Sequence, residues 1–201
     1  MTPTPTPAPR ERQSTRYLST ADERREEVLR AAMKVVGTRG LYGTPTMEVA
    51  QAAGISQAYV FRLFPTKLSL FLAVLERSFQ QIQDSLERAG RAARAKDEPV
   101  LRAMAEAYLA LLEDPGIVLV QLQGQAAASE PEVRAALRRG FAGLLEMTER
   151  VSDASPQEVQ RFFARGMLCN VSAAMEIYDL DEHWAQVLAY ADADTSENST
   201  A

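Results

Sequence analysis

Cysteine and histidine are almost missing from this sequence, which has one of each, Cys169 and His183, among 201 residues. A single cysteine excludes a disulfide framework within the chain. A structural zinc site takes about four Cys or His ligands, which two residues do not provide. We therefore expect no metal site and no cofactor.

Long apolar runs are missing as well. No stretch approaches the roughly 18 consecutive apolar residues that a membrane-spanning helix requires. The N-terminal segment MTPTPTPAPRERQSTRY has no apolar run of the signal-peptide type. We expect a soluble, cytoplasmic protein with no membrane partner. With 46% hydrophobic and 24% charged residues, the chain can bury one or two ordinary cores.

The two ends of the chain differ in charge. Residues 1–70 contain ten Lys or Arg against six Asp or Glu, whereas residues 71–201 contain twelve against twenty-one. The segments therefore carry +4 and −9, which sum to the formal net charge of −5. A basic head on an acidic body indicates that only the head approaches an anionic partner. The alternative is a chance segregation of solvated surface charge.

Helical patterns fill most of the sequence. Thr20-Ala-Asp-Glu23 is a capping box, which predicts that the first helix begins at Thr20. Its end is predicted at the glycines 37 and 40, and residues 1–19, rich in Thr and Pro, are predicted to be a disordered arm. A short helix is predicted at about 45–52, with Thr44 as its N-cap residue before Pro45.

A second short helix is predicted between Ser56 and Pro65, and a long one at 67–94 with Thr66 as its cap. Further helices are expected at about 99–113, 116–128, 129–151, 155–179 and 182–192. Capping boxes at Ser129–Glu132 and Ser155–Glu158 support two of these. Segment 116–123 alternates like a strand, but a lone strand has no partner, so we favour a helix there.

The stretch AGISQAYVFRLFPTK, residues 53–67, has the spacing of a helix-turn-helix. Such a motif needs a small residue where its helices cross, a glycine at the turn and apolar residues on the inner faces. The sequence supplies these as Ala50, Gly54, Ile55, Val60 and Leu63. Phe64 is then a core residue, and Tyr59 and Arg62 on the other side of the helix can face DNA.

These residues carry a family resemblance. The run from about residue 24 to 75 resembles the N-terminal DNA-binding domain of the TetR family of bacterial repressors, over about a quarter of the chain. The matching features are Ala31-Ala32, Gly40, Thr44 and Thr46, the run Ala50-x-x-Ala53-Gly54-Ile55-Ser56, Phe64 and Lys67. The chain departs from the family's Tyr-x-His-Phe run, because it has Phe61 and Leu63 at those positions. Tyr59 is the candidate to replace the phosphate contact of the missing tyrosine.

A recognition helix presents its N-terminal end to base edges in the major groove, which makes Gln57, Ala58 and Tyr59 candidates for base contacts. Phosphate groups bind favourably at helix N-termini and beside cationic side chains, so Thr44, Thr46, Arg62 and Lys67 are candidates for phosphate contacts. We expect Phe61 to pack in the core or against the groove wall. The candidate DNA-binding residues are Thr44, Thr46, Ser56, Gln57, Ala58, Tyr59, Arg62 and Lys67.

The resemblance implies an all-α protein in which residues 20–66 form the DNA-binding domain and residues 67–192 bind an effector and dimerise. Residues 193–201 are predicted to be a disordered tail. Adaptable or polar side chains are the pocket candidates: Met104, Tyr108, Gln121, Gln125, Phe141, Met167 and Asn170. The candidates for the dimer interface are Phe162, Gly166, Ala173 and Trp184. For each of these residues, an ordinary place in the core is the alternative.

The function implied is that of a homodimeric repressor that binds a palindromic site in double-stranded DNA and is released by an unknown small-molecule effector. An enzyme is the first alternative, with Asp179, Asp181, Glu182 and His183 as its acidic cluster. These residues lie at a predicted helix boundary and no second histidine completes a metal site, which argues against it. A helical scaffold that binds only protein would have no need of a basic helix-turn-helix head.

Overall fold

The computed structural model describes residues 10–189, with side chains for residues 22–114 and 116–189. All regular structure in this part of the chain is helical, which confirms the predicted all-α class. The helices are α1 (Arg10–Gly43), α2 (Thr46–Ala52), α3 (Gln57–Leu63), α4 (Lys67–Arg94), α5 (Val100–Leu111), α6 (Pro115–Ala126), α7 (Pro131–Ser152), α8 (Pro156–Ala174) and α9 (His183–Ala189), with a 3-10 turn at Ile177–Asp179.

Helix α1 is longer than the sequence pattern predicts. It begins at Arg10, so the helix start predicted at Thr20 is wrong, and residues 10–19 are helical instead of disordered. The physical reason is composition: Arg, Glu and Gln are good helix formers, and the last proline of the arm is Pro9. The predicted arm at residues 1–9 and the predicted tail at 193–201 lie outside the described residues. At Gly40, φ is 67° and ψ is −173°, which breaks the helix there as predicted.

Helices α1, α2 and α3 form the head of the molecule. Val28, Ala32, Val49, Val60 and Phe64 are buried together between them. The turn between α2 and α3 depends on Gly54, whose φ of 65° lies in the left-handed region that other residues seldom adopt. The inner face of the predicted helix-turn-helix is therefore confirmed, with Phe64 in the core.

Helix α4 joins the head to the body, and its residue range is the one that the sequence predicts. Thr66 and Ser69 form a capping box at its start. A buried stripe that includes Phe71, Leu75, Phe79 and Ile82 runs along it. It packs against α1 in the head and against α5 and α7 in the body.

In the body, the sequence predicts the start of one helix correctly and the start of another incorrectly. Helix α8 begins with the predicted capping box of Ser155 and Glu158. Helix α7 does not begin with the predicted Ser129 box, because Glu130 is its N-cap residue and no side chain caps it. Pro131 explains this shift, since a proline fits the first helical position without losing a hydrogen bond.

The ambiguous segment at 116–123 is helical, as predicted, and lies within α6. Helix α8 ends at Ala174, short of the predicted residue 179, because the chain turns through Glu176 at a φ of 52°. No single helix in residues 10–189 is long and apolar enough to cross a membrane. Helices α3 and α4, bent by 68°, satisfy the length and composition threshold only as a pair.

Candidate nucleic-acid interface and ligand cavity

The recognition helix α3 is fixed from its inner side. Val60 and Phe64 are almost fully buried, and the guanidinium of Arg25 lies 4.2 Å from the Phe64 ring centroid. The Ser56 hydroxyl accepts a hydrogen bond from the backbone N–H of Tyr59 at 3.2 Å, as an N-cap residue does. This anchoring leaves the opposite face, with Ala58 and Arg62, in solvent.

Thr46 and Gln57 join the starts of α2 and α3. The Gln57 side-chain amide donates to the Thr46 hydroxyl at 2.8 Å, and both side chains are half-buried. The two predicted contact residues are thus brought together at the exposed end of the motif. This bond uses one N–H of Gln57, so its amide has a further donor and its oxygen for another partner.

Tyr59 and Arg62 also lie together, one turn apart on α3. The Arg62 guanidinium is 5.0 Å from the centroid of the half-buried Tyr59 ring, within the range of a cation–π contact. Phe61 is 42% exposed on the same helix, so of the two positions expected for it the core is ruled out and the groove wall stays a prediction. The reason is helix geometry, because Phe61 directly follows buried Val60 and points about 100° away from it.

Lys67 stands at the start of α4 and reaches back to the end of α1. Its Nζ donates to the Tyr42 carbonyl at 2.7 Å, and the Tyr42 hydroxyl donates to the Glu130 carboxylate at 2.6 Å. This hydrogen bond to Glu130 raises the pKa of Tyr42. Tyr42 is exposed, and no sequence pattern pointed to it, because its partner is 88 residues away.

Thr44 differs from the other predicted contact residues. Its side chain is buried, and its hydroxyl donates to the Gly40 carbonyl at 2.6 Å. The residue before α2 is Pro45, so Thr44 is not the N-cap residue that the sequence predicted. A buried, internally bonded hydroxyl cannot reach a phosphate, and we remove Thr44 from the candidate set.

The body contains a cavity that is partly open to solvent. It lies among α4, α5, α6, α7 and α8, and its lining is mainly aromatic and aliphatic. The lining residues are Ile82, Leu86, Ala105, Tyr108, Leu109, Gln121, Phe141, Leu144, Phe162, Phe163, Arg165, Gly166, Met167, Cys169 and Asn170. A mainly apolar lining with a few polar groups is typical of a small-molecule site.

Most of the predicted pocket residues line this cavity: Tyr108, Gln121, Phe141, Met167 and Asn170. Met104 does not, because it is fully buried beneath Gly90 in the core. Gln125 does not either, because it is exposed at the C-terminal end of α6. The sequence reasoning missed Phe162 and Phe163 as lining residues, although adjacent aromatics on α8 were a usable signal.

Three polar lining residues form one hydrogen-bonded chain. The Tyr108 hydroxyl donates to Asn170 Oδ1 at 2.5 Å, and Asn170 Nδ2 donates to Gln121 Oε1 at 3.0 Å. Burial is the main cause that raises the pKa of Tyr108 to about 12, so the phenol is neutral at physiological pH. We call Tyr108, Asn170 and Gln121 the polar ladder.

The predicted interface residues fall into two groups. Phe162 and Gly166 line the cavity, with Gly166 against the Tyr108 ring, and Ala173 is half-buried. Trp184 is 50% exposed. Exposed apolar side chains recur at helical spacing along α8 and continue to α9. We call this set the apolar stripe: Leu168, Val171, Met175, Tyr178, Trp184 and Val187.

The acidic cluster of the enzyme alternative lies at the boundary before α9, where His183 is the first helical residue. Within residues 10–189, no group of three His, Cys, Asp or Glu side chains is arranged to hold a metal ion.

The head of the molecule matches a known family of proteins. A family model described as bacterial regulatory proteins of the tetR family matches residues 28–74, which run from α1 into α4. The N-terminal domain belongs to the TetR family. This confirms the resemblance drawn from the sequence, and the family consists of regulatory proteins and not of enzymes.

Solved structures share the fold of the body as well as that of the head. A TetR-family transcriptional regulator from Mesorhizobium loti superposes with a TM-score of 0.62 and 18% identity, over 84% of this chain and 92% of that one. The transcriptional regulator FadR from Bacillus subtilis, solved in complex with stearoyl-CoA, gives a TM-score of 0.60 and 14% identity, over 81% and 92%.

A curated relative is similar in sequence over a shorter span. The transcriptional activator FasR of Mycolicibacterium smegmatis is 35% identical over 92 residues, which are 46% of this chain. The chain thus spans less than half of that relative, since the match covers 42% of its length.

Proposed function

We propose that this chain is a homodimeric, ligand-responsive transcriptional regulator that binds a palindromic operator in the cytoplasm. The observation that carries the proposal is the geometry of α3. Its inner face is locked by Val60 and Phe64, and its N-terminal end and outer face are exposed beside Arg62 and Lys67. A helix held in this way can enter a major groove without rearranging the head.

The DNA contacts divide by chemistry. Gln57, Ala58 and Tyr59, at the start of α3, face the base edges, where a glutamine can pair bidentately with adenine and an alanine can contact the thymine methyl. Thr46, Ser56, Arg62 and Lys67 contact phosphates and fix the position of the head on the duplex. Exposed Phe61 packs against the sugar–phosphate wall of the groove.

The apolar stripe supports the dimer. Its six large apolar side chains are exposed along neighbouring helices, and the core of a protein–protein interface is built from such residues. A two-fold contact through α8 and α9 places one head on each side of the symmetry axis. The heads then bind successive major grooves, about 34–36 Å apart, in a palindrome.

The cavity supports the effector. In the proposed mechanism, effector binding favours a dimer in which the heads no longer match the spacing of the operator, and the protein is released from DNA. The FadR from Bacillus subtilis, which has this fold and was solved in complex with stearoyl-CoA, supports the proposal that a protein of this fold binds a ligand. Repression is our first proposal, and the relative FasR, named an activator, supports activation as the second.

The test is a selection of binding sites from random duplex DNA with the purified chain, followed by anisotropy measurements on the enriched duplex. We expect a palindromic sequence to emerge. The double variant Tyr59→Ala, Arg62→Ala should bind this duplex at least about tenfold more weakly. The control Arg102→Ala removes an exposed arginine of α5 that pairs with Glu106, and it should leave the affinity unchanged. If no sequence is enriched, the proposal is wrong.

A further inference from the structure

The polar ladder brings together side chains from three helices of the cavity wall. Tyr108 comes from α5, Gln121 from α6 and Asn170 from α8, and Gln121 and Asn170 are each only 4% exposed. Buried polar groups that are bonded to one another in this way are held in fixed directions. The ladder runs from the phenol through Asn170 to Gln121, and its last bond uses only the oxygen of Gln121. The side-chain NH2 of Gln121 is therefore a donor at the end of the ladder.

The cavity offers no negative charge to a ligand. None of its lining residues among those described is Asp or Glu, and burial keeps Tyr108 uncharged. A cation that entered would lose its hydration without gaining a carboxylate partner, which is costly. Arg165 is the one charged residue in the described lining, and it has an interaction partner of its own. A carboxylate in the cavity would have to compete for it.

The remaining lining favours an apolar body with rings. Phe162 and Phe163 stand edge to face with their centroids 5.7 Å apart, and Phe141 meets Phe79 in the same manner at 5.3 Å. Aromatic side chains of this kind bury ligand surface without supplying polar partners. The polar contacts available to a ligand are therefore concentrated at the ladder.

We propose that the effector is an uncharged, mainly apolar molecule whose polar end is an acceptor oxygen, of the carbonyl type, bound by the Gln121 amide at the end of the ladder. This inference rests on the proposed function, since it names the ligand class of the same cavity. It excludes ammonium compounds and free carboxylates as the preferred class. The ladder fixes the position of the polar end, and the phenylalanine rings receive the apolar body.

The first experiment compares three probes with one phenylheptyl body and different heads: the methyl ketone, the carboxylate and the ammonium compound. Isothermal titration of the full chain at neutral pH, without DNA, measures the three affinities. We expect the ketone to bind about tenfold or more tightly than either charged probe, because the ammonium is desolvated without a partner and the carboxylate must compete for Arg165. Equal binding of all three probes, or tighter binding of a charged one, overturns the proposal.

The second experiment changes the ladder itself. Gln121→Glu replaces the donor by a carboxylate of the same shape, so ketone affinity should fall about tenfold and ammonium affinity should rise. Gln125→Glu is the matched control, because it adds the same charge to the exposed side of α6 and should change neither affinity. If Gln121→Glu does not fold, Gln121→Met, which removes the donor without adding charge, should show the same loss for the ketone.

The two proposals fail in different ways. If none of the probes binds while the chain still selects a duplex, the ligand class is wrong and the proposed DNA-binding function stands. If the ketone binds as expected while no duplex is selected, the cavity assignment stands and the regulator proposal is wrong. Unchanged ketone affinity in a folded Gln121→Met variant removes the ladder as the recognition element.

Discussion

At the scale of single residues, the candidate DNA-binding side chains already have partners in the free protein. Gln57 donates to Thr46, Arg62 lies over Tyr59, and Lys67 donates to the Tyr42 carbonyl. Long side chains held by neighbours lose less rotamer entropy when they meet DNA. The contact surface of the head is thus partly organised before binding.

Replacing Gln57 tests base recognition. Gln57→Ala should cost about 1–3 kcal/mol on the preferred operator and relax the preference at one base pair in each half-site. Gln51→Ala, which removes an exposed glutamine of α2, is the control and should preserve both quantities. A randomised-site selection measures the preference, and an unaltered preference in the Gln57 variant would remove this residue from the recognition set.

Gly54 tests the turn of the motif. Apart from the two neighbouring residues in the chain, a Cβ on this residue would meet no atom within 4 Å, so the cost of a substitution comes from the positive φ. Gly54→Ala should lower the free energy of unfolding by about 1–2 kcal/mol. Gly54→Asn should cost less, because asparagine tolerates this region better. Urea unfolding at one protein concentration measures both variants, and equal losses would contradict the conformational explanation.

At the scale of helices, the accuracy of the predicted helix ends depends on local capping interactions. Helix α4 was placed correctly at both ends because Thr66 caps it and a polar break follows it. The predicted starts of α1 and α7 are wrong for two reasons. The capping box at Thr20 lies inside α1, which begins at Arg10, and α7 begins at Pro131 instead of at the capping box of Ser129. A cap pattern shows where a helix can begin and not where it must.

The candidate sites could be predicted only in part. The spacing of apolar residues predicts α3 and its buried side. Of the seven pocket candidates chosen for their side-chain chemistry, five line the cavity. Other positions depend on contacts between distant segments, such as the bonds of Tyr42 to Glu130 and of Gln123 to the Gly37 carbonyl. No pattern within one helix contains that information.

The packing of α4 against α7 gives a prediction at the same scale. A Cβ on Gly140 would lie 2.5 Å from the Phe79 ring, whereas one on Gly143 would approach only Gln83 Oε1, at 3.4 Å. Gly140→Ala should therefore destabilise the protein by about 1–3 kcal/mol in spite of its better helix propensity. Gly143→Ala should be neutral or stabilise by up to about 1 kcal/mol. Similar effects of both substitutions in thermal unfolding would show that this contact is not tight.

At the scale of the whole molecule, α6 connects the cavity to the head. Gln121 is the α6 member of the polar ladder, and two residues later the Gln123 amide donates to the Gly37 carbonyl at 3.4 Å, near the break in α1. A second connection runs from Lys67 through Tyr42 to Glu130 at the start of α7. A ligand that displaces α6 would therefore act on α1 directly, and this is the physical route that the proposed response requires.

The apolar stripe gives a prediction about assembly. Leu168→Glu combined with Val171→Glu should convert a dimer to a folded monomer, because both side chains are exposed in the monomer but buried in the proposed interface. Leu145→Glu, on an equally exposed leucine of α7, is the control and should stay dimeric. Sedimentation velocity at micromolar concentration decides the result. If the double variant stays dimeric, or if the unmodified protein is monomeric, the apolar stripe is not a dimer interface.

The most direct test of the account varies the distance between the half-sites of the selected operator. Two heads fixed in one dimer must bind on the same side of the duplex, about one helical turn apart. Inserting five base pairs rotates one half-site by about half a turn, and the affinity should fall to that of a single half-site. Affinity that does not depend on the spacing would contradict the claim that two coupled heads of a dimer bind the operator together.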